Sequence, residues 1–361
     1  MRILVYDVAA SNRGALSILT DFYQQVRQYG KDAEWYFVVS TPKLEETSNV
    51  HVLRFPWIKR NLINRVFFDS FLIQSLVMRL KVDRVLSLQN VCITRCSLPQ
   101  DISLHNALPF HKCDNTVLSG TVSIFKQKYL NKKVLASLRN ANRIFVPNEW
   151  IYNSCASIDG VDKEKLVLVK PNMRFPAFAD SANTGLDNLE IVFYYPANAE
   201  PYKRHDLIYK ACKRLVTEGQ DSFRIVLTAQ GNENSYIKSI KEKCDNDKLP
   251  ISFSGNMTRE EVYHYYCSSV LIFPSEIETD ALPIIEAMMC NSFIVATRTD
   301  FAECILKDYP NSVLVPIGDD KSLAEAMRCV LEGQYAIKEY DRRNLTAIGS
   351  EDGLVKAVLN R

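Results

Sequence analysis

Two glutamates eight positions apart, Glu278 and Glu286, stand in the stretch Pro274-Ser275-Glu276-Ile277-Glu278-Thr279-Asp280-Ala281-Leu282-Pro283-Ile284-Ile285-Glu286-Ala287-Met288. The run Val270-Leu271-Ile272-Phe273 before it reads as a buried strand, and Pro283 followed by Ile284, Ile285, Ala287 and Met288 reads as a helix with proline in its first turn. A strand, a tight polar loop and a helix start present unpaired backbone amides and the positive pole of the helix, a seat for a phosphate or other anion. One carboxylate beside such a start is ordinary, since it only improves the dipole by roughly a few tenths of a kcal/mol. Two flanking the seat can do more, because a carboxylate accepting from neighbouring hydroxyls clamps a vicinal diol such as that of a ribose or hexose.

The pair, bracketed by Pro-Ser and Leu-Pro, resembles the Glu-x7-Glu signature of the retaining glycosyltransferases of family 4, which have the GT-B fold. The resemblance implies that Glu286 holds the ribose of a nucleotide-sugar donor and that Glu278 lies beside the donor sugar, with Thr279, Asp280, Ala281 and Leu282 around the diphosphate. Where the family has Gly-Phe-Gly, this chain has Thr279-Asp280-Ala281, so backbone freedom is lost and a negative charge is gained. Asp280 could instead cap the helix through its side chain. Lys203, in Pro201-Tyr202-Lys203-Arg204-His205-Asp206, takes the place of the lysine that neutralises the donor diphosphate. Asn198 stands where the family often has arginine, which leaves Lys203, Arg204 or Arg13 to supply the missing charge. Gly14 matches the glycine loop near the start of the family, with Arg13 in the place of its first glycine. His105, in His105-Asn106-Ala107-Leu108-Pro109-Phe110, resembles the first-domain histidine that faces the donor sugar across a cleft. Asn90 and Asn106 are candidates for acceptor or sugar hydroxyls. His105, Lys203 and Glu278 are thus the catalytic candidates, and Arg13, Gly14, Asn198, Lys203, Arg204, Thr279, Asp280, Ala281, Leu282 and Glu286 the donor-binding ones.

The elements that would hold these groups alternate along the chain. Ile3-Leu4-Val5-Tyr6 opens as a strand and runs through Ala9-Ala10-Ser11-Asn12-Arg13-Gly14 into a helix with Leu16, Leu19, Phe22, Tyr23 and Val26 on one face. Strands recur at 35–39, 84–87, 143–146 and 166–169, with a helix from about 62 to 80, then again at 191–195, 223–227, 251–253, 270–273, 292–296 and 313–316. Strand and helix in alternation predict parallel sheets covered on both faces, with ligands beyond the carboxyl ends of the strands. The expected fold class is α/β, a GT-B arrangement of two Rossmann-like parallel-sheet domains: 1–172 as the acceptor-side domain, a linker at 173–189, and 190–335 as the nucleotide-sugar domain. The resemblance implies that a helical segment at 336–361 packs back on the first domain.

Composition narrows the classes. At 361 residues and 47% hydrophobic content the chain can bury two cores, and no apolar run is long enough to span a bilayer. The start reads as a strand and not as a signal peptide, so a cytoplasmic setting is expected. The ten cysteines are scattered without a Cys-x-x-Cys pair and read as reduced thiols. The five histidines show no ligand spacing, and Asp245-Asn246-Asp247 reads as a surface loop, so neither a metal nor another cofactor is expected. The net charge of +2 conceals an asymmetry: 23 Lys and Arg against 14 Asp and Glu over residues 1–170, and 21 against 28 over the rest. In the basic half, the segments 57–81 and 122–143 mix aromatic and basic residues and are candidates for contact with an anionic membrane surface.

The expected activity is a retaining, metal-independent transfer of a hexosyl-type sugar from a nucleotide sugar to a glycan or polyprenyl-linked acceptor, with cell-surface polysaccharide, lipopolysaccharide or O-antigen synthesis as its setting by analogy. No nucleic acid is expected as partner. Two other readings stay open: a GT-B pseudoenzyme that serves as a binding or accessory subunit, and a sugar-nucleotide epimerase.

Overall fold

The computed structural model describes residues 1–11, 13–111, 124–173, 190–220, 222–341, 345 and 349–360. The chain divides into two units, the first formed by Met1–Phe110, Lys128–Asn172 and Ile348–Arg361, the second by His111–Gln127 and Met173–Ala347. Residues 174–189 of the expected linker, and residues 122 and 123 of the second basic segment, lie outside the described residues.

Strands and helices alternate in the first unit: β1 (Arg2–Asp7), α1 (Arg13–Tyr29), β2 (Glu34–Val39), β3 (Val50–Arg54), α2 (Leu62–Phe67), α3 (Ile73–Leu80), β4 (Arg84–Ser87), β5 (Gln100–Ser103), α4 (Ile124–Asn140), β6 (Arg143–Val146), α5 (Glu149–Ala156) and β7 (Leu166–Leu168). The sheet runs in the order β3-β2-β1-β4-β5-β6-β7, and every pair is parallel. One face carries Leu19, Phe22, Val26, Trp35 and Phe37. The other carries Tyr6, Val38, Phe68, Ile73 and Val77. The helix expected over 62–80 is two helices joined by a π-turn, Phe68–Leu72. Strand β3, absent from the sequence reading, is a short edge strand whose sequence Val-His-Val-Leu-Arg carries no continuous apolar run.

The second unit contains β8 (Ile191–Tyr195), α6 (His205–Thr217), β9 (Phe223–Leu227), α7 (Ser235–Asn246), β10 (Ile251–Phe253), α8 (Arg259–Ser268), β11 (Val270–Phe273), α9 (Leu282–Met289), β12 (Ile294–Thr297), α10 (Asp300–Leu306), β13 (Ser312–Val315) and α11 (Asp320–Leu331). Its parallel sheet runs β10-β9-β8-β11-β12-β13. Asp245-Asn246-Asp247 closes α7 and is not a free loop: Asp247 accepts from the Tyr209 hydroxyl at 2.7 Å and from Lys213 at 2.8 Å.

Of the segment 336–361, only α12 (Gly353–Leu359) is helical among the described residues. Residues 336–341 are not helical, and the backbone N–H and C=O of Lys338 are taken up by Asn311, donating to Oδ1 at 2.8 Å and accepting from Nδ2 at 2.8 Å. Helix α12 belongs to the first unit, where Leu354, Val355 and Val358 join the core built on α1. Arg143, at the start of β6, ties it down by donating to the carbonyls of Ala357, Val358 and Asn360.

The strand orders also say where each sheet reverses. In the first unit the reversal lies between β1 and β4; in the second it lies between β8 and β11. At such a point neighbouring strands send their following loops to opposite faces and leave a crevice at the carboxyl end. The loops after β8 and β11 are the ones that carry Lys203 and Glu278.

Candidate active site

Strands β8 and β11 pair through Phe193 with Val270 and Tyr194 with Leu271, so the loops that leave their carboxyl ends start side by side. The loop after β8 turns through a short 3-10 helix, Pro201–Lys203, and Arg204 then takes a left-handed conformation, φ 56°, to begin α6. Two hydrogen bonds lace the loops into one body. The Tyr195 hydroxyl donates to the carbonyl of Lys203 at 2.9 Å, and the Glu276 amide donates to the carbonyl of Tyr202 at 3.0 Å. Side chains then pair across the seam. Lys203 Nζ donates to Glu278 Oε1, with both side chains nearly withdrawn from water. Arg204 is spent on structure: it holds the buried carboxylate of Glu276 and chelates Asp206 at 3.0 and 3.2 Å. Of the two basic residues proposed for a diphosphate, Lys203 is therefore the one at the mouth, and it arrives already paired with the glutamate expected beside the sugar. Asn198 lies exposed on the loop that follows β8.

The start of α9 departs from the sequence expectation in one respect. No side chain caps it, so Asp280 is not the N-cap; that position is Ala281, held left-handed at φ 45°. A backbone conformation that favours glycine is thus taken up by an alanine. Pro283 has no amide and the amide of Ile284 donates to the carbonyl of Ala281 at 2.9 Å. This leaves the amide of Leu282, the partly exposed first residue of the helix, as the donor nearest the surface, with the Ala281 amide buried behind it. Asp280 lies beside Glu278 with its Oδ1 buried and without a hydrogen-bond partner. Burial, with the negative charge of Glu278 second, pushes its pKa up to about 7. Thr279 completes the bend between the two acids.

Glu286 is buried one turn further along the helix. Its Oε2 accepts from the Tyr266 hydroxyl at 2.8 Å, its Oε1 meets Arg259 Nη1 at 2.7 Å, and Tyr263 adds a further hydrogen bond. Burial raises its pKa while Arg259 and the tyrosines oppose the shift. A carboxylate has about four lone-pair positions, so one so held is fixed in direction and still able to accept from a diol. The structure thus brings Lys203, Glu278 and Asp280 into one cluster, while Glu286 is oriented by α8. Nothing in the spacing of the sequence points to Arg259, Tyr263, Tyr266 or Glu276, which join the site through partners 20 to 72 residues away.

In the first unit, Asp7 ends β1 and accepts from the Ala10 amide at 3.0 Å, which shapes the loop that leads to α1; burial lifts its pKa to about 6. Arg13 is the first residue of α1, and Gly14 follows in open space on the first turn. Asn90 is left-handed at φ 66°, and its Oδ1 accepts from the His105 amide at 2.6 Å. Asn106 Oδ1 accepts from the Leu108 amide at 3.0 Å. Both asparagines therefore use an acceptor oxygen to shape the segment around His105. The imidazole Nε2 lies 2.8 Å from Ser103 Oγ, and burial lowers its pKa to about 4, so the ring is neutral at pH 7. Among the described residues no group of three or more His, Cys, Asp or Glu could hold a metal ion, and no helix is long and apolar enough to cross a membrane. The nine described cysteines are free thiols.

Two parallel-sheet α/β units of this kind occur in solved glycosyltransferases. One from Rickettsia africae is 13% identical, with 99% of this chain and 96% of that chain covered and a TM-score of 0.66. The lipopolysaccharide outer core galactosyltransferase WaaB in its apo form is 12% identical over 99% of both chains, with a TM-score of 0.67. Anabaena Alr3699/HepE in complex with UDP-glucose is 15% identical, with 92% of this chain and 91% of that chain covered and a TM-score of 0.62. No curated protein sequence matches the chain. The chain has the GT-B fold, and its residues 178–348 match the family model of the glycosyl transferases group 1.

Proposed function

We propose that the protein is a retaining glycosyltransferase that moves a sugar from a nucleoside-diphosphate sugar to a glycan or lipid-linked acceptor in the assembly of a cell-surface polysaccharide. The observation that carries this reading is the Lys203–Glu278 pair, set by the adjacency of β8 and β11 beside the open start of α9. The group 1 match over 178–348 covers all of these residues, and a structural neighbour holds UDP-glucose. In the proposed reaction the bond between the anomeric carbon and the diphosphate oxygen breaks, and an acceptor oxygen bonds to that carbon on the same face. The acceptor proton passes to the departing phosphate oxygen. Lys203 and the amide of Leu282 stabilise the charge that develops on the leaving group, Glu278 orients sugar hydroxyls, and Glu286 the ribose. This scheme uses no metal and no protein nucleophile. The acceptor is taken to be membrane-borne, reached by the chain as a peripheral protein on the cytoplasmic face.

The test is release of nucleoside diphosphate from a panel of UDP- and GDP-sugars with lipid and glycan acceptors. Lys203→Met is expected to lower kcat by about 10²- to 10³-fold, Glu286→Ala to weaken donor binding, and excess chelator to change neither. Donor binding without turnover on any acceptor would assign the chain to accessory subunits. A new sugar formed from donor alone would make it an epimerase.

A further inference from the structure

Helices α2 and α3 leave a large apolar stripe in water. Leu62 is 73% exposed, Ile63 79%, Phe71 62% and Met78 72%, and Val66 and Phe67 are about half exposed. Phe67 and Phe71 pack on each other with centroids 5.8 Å apart. Such a contiguous patch marks an interaction site on an otherwise ordinary surface.

The π-turn creates the stripe. At about 100° per residue, an unbroken α-helix from Leu62 would place Leu62, Ile63, Val66 and Phe67 between ~0° and ~140°, but also Ile73 at ~20° and Val77 at ~60°, among them. Ile73 and Val77 are core residues together with Phe68 at ~240°. The extra residue of the π-turn, Phe68–Leu72, winds the following helix back by ~100°, which moves Ile73 and Val77 to ~280° and ~320° and Met78 to ~60°. One insertion therefore keeps the core face continuous and returns Met78 to the exposed apolar side, with exposed Ser75 as the polar break between Phe71 and Met78.

Charge at the two ends says what covers it. Exposed Arg60 lies at the start of the stripe, and exposed Arg79 and Lys81 at its end. Of the two acids of the segment, Asp69 is paired with a cation and Asp83 is exposed. Asp69 is held by Arg65 at 2.8 Å and accepts from the Tyr6 hydroxyl at 2.5 Å, and Asp83 accepts from the Arg2 amide at 2.7 Å. An apolar face with exposed Arg60 at its start and exposed Arg79 and Lys81 at its end, against exposed Asp83, carries a net positive charge that complements an anionic phospholipid bilayer. The same helix lines, through Asp69, a cleft of about 580 Å³ whose other walls are the loop 91–98 and Lys133, Ser137 and Asn140. On α4, Tyr129 is also exposed, with Lys133 above its ring at 5.1 Å.

We propose that the exposed face of α2, the π-turn and α3 lies in the interface of an anionic phospholipid bilayer, with Leu62, Ile63, Val66, Phe67, Phe71 and Met78 among the acyl chains and Arg60, Arg79 and Lys81 at the headgroups. This deepens the reading that the acceptor is membrane-borne by naming the surface that meets the membrane. The test is flotation of the full chain with phosphatidylcholine vesicles, with and without phosphatidylglycerol. The wild-type chain is expected to float with the anionic vesicles and to be released by salt. Phe67→Glu with Phe71→Glu is expected to lower partitioning about tenfold or more, with an unchanged far-UV spectrum. Arg60→Glu with Arg79→Glu is expected to lower it selectively on the anionic vesicles. Wild-type chain that stays out of the vesicles, or apolar-face variants that float as well as wild type, would overturn the proposal. So would a wild-type dimer that the Phe67/Phe71 variant converts to monomer, since the face would then belong to a second copy. Thermal shift with UDP- and GDP-sugars on the same samples keeps the tests apart: flotation without nucleotide-sugar binding sinks the transferase reading and leaves the membrane face standing.

Discussion

Asp280 and Glu278 are two acids at one helix start, and only one of them has a cation. Glu278 takes Lys203; Asp280, buried against it, titrates at about 7 in place of the ordinary 3.8. The folded state therefore binds a proton between those values that the unfolded chain has released, so this group's contribution to stability is complete below pH 3.8 and is lost as pH rises through about 7. Asp280→Asn, which keeps the shape and removes the titration, is expected to raise stability relative to wild type at pH 8 and to match it at pH 4, measured by urea denaturation. A diphosphate bound at the same helix start would meet a new negative charge above pH 7. Donor affinity is accordingly expected to fall through that range in wild type and to stay level in Asp280→Asn. His205 acts in the opposite direction. Fully buried between Tyr195 and Tyr236, with neither ring nitrogen hydrogen-bonded, it titrates at about 3 instead of 6.5. The unfolded chain binds the extra proton here, so stability is complete above 6.5 and drains away as pH falls toward 3.

At the scale of the element, the loop-to-helix start is where sequence and conformation disagree. The left-handed region costs a residue with a Cβ roughly 1 kcal/mol, and Ala281 occupies it at φ 45° while almost fully buried. Ala281→Gly is expected to relieve the strain and raise stability by about 0.5–1 kcal/mol. Ala281→Val adds a branched side chain to the same backbone and is expected to destabilise by about 2 kcal/mol or more and to weaken donor binding; denaturation midpoints and nucleotide-sugar titration check both. The strand, loop and helix around this residue were legible in the sequence because each has a local signal: an apolar run, polar punctuation, and a proline in a first turn. The left-handed conformation was not, since alanine carries no sign of it. The π-turn was equally hidden, because Leu62–Leu80 has helical composition throughout. Only the burial of Ile73 and Val77 beside the exposure of Met78 shows that the period slips by one residue.

For the whole molecule, local patterning gave two parallel sheets and most of their strands, but the contacts that close each unit join residues far apart in the chain. The pairing of Arg204 with Glu276 and the clasp of Arg143 on α12 leave no trace in any short window. The clasp has a measurable consequence. Helix α12 contributes Leu354, Val355 and Val358 to the core of the first unit, roughly 1.5–3 kcal/mol each before the cost of ordering the segment. Removing residues 350–361 would also strip Arg143 of three carbonyl acceptors. The net loss is expected to be on the order of 3 kcal/mol, confined to the first unit. All three tryptophans, Trp35, Trp57 and Trp150, lie in that unit, so their fluorescence reports on it alone. In the truncated chain the fluorescence transition is expected at lower urea than in the full chain, while part of the far-UV signal is lost only at the original midpoint. A fluorescence midpoint that does not move would show that α12 contributes nothing to the first unit's stability. A far-UV signal that falls as a whole with the fluorescence would show that the two units unfold together.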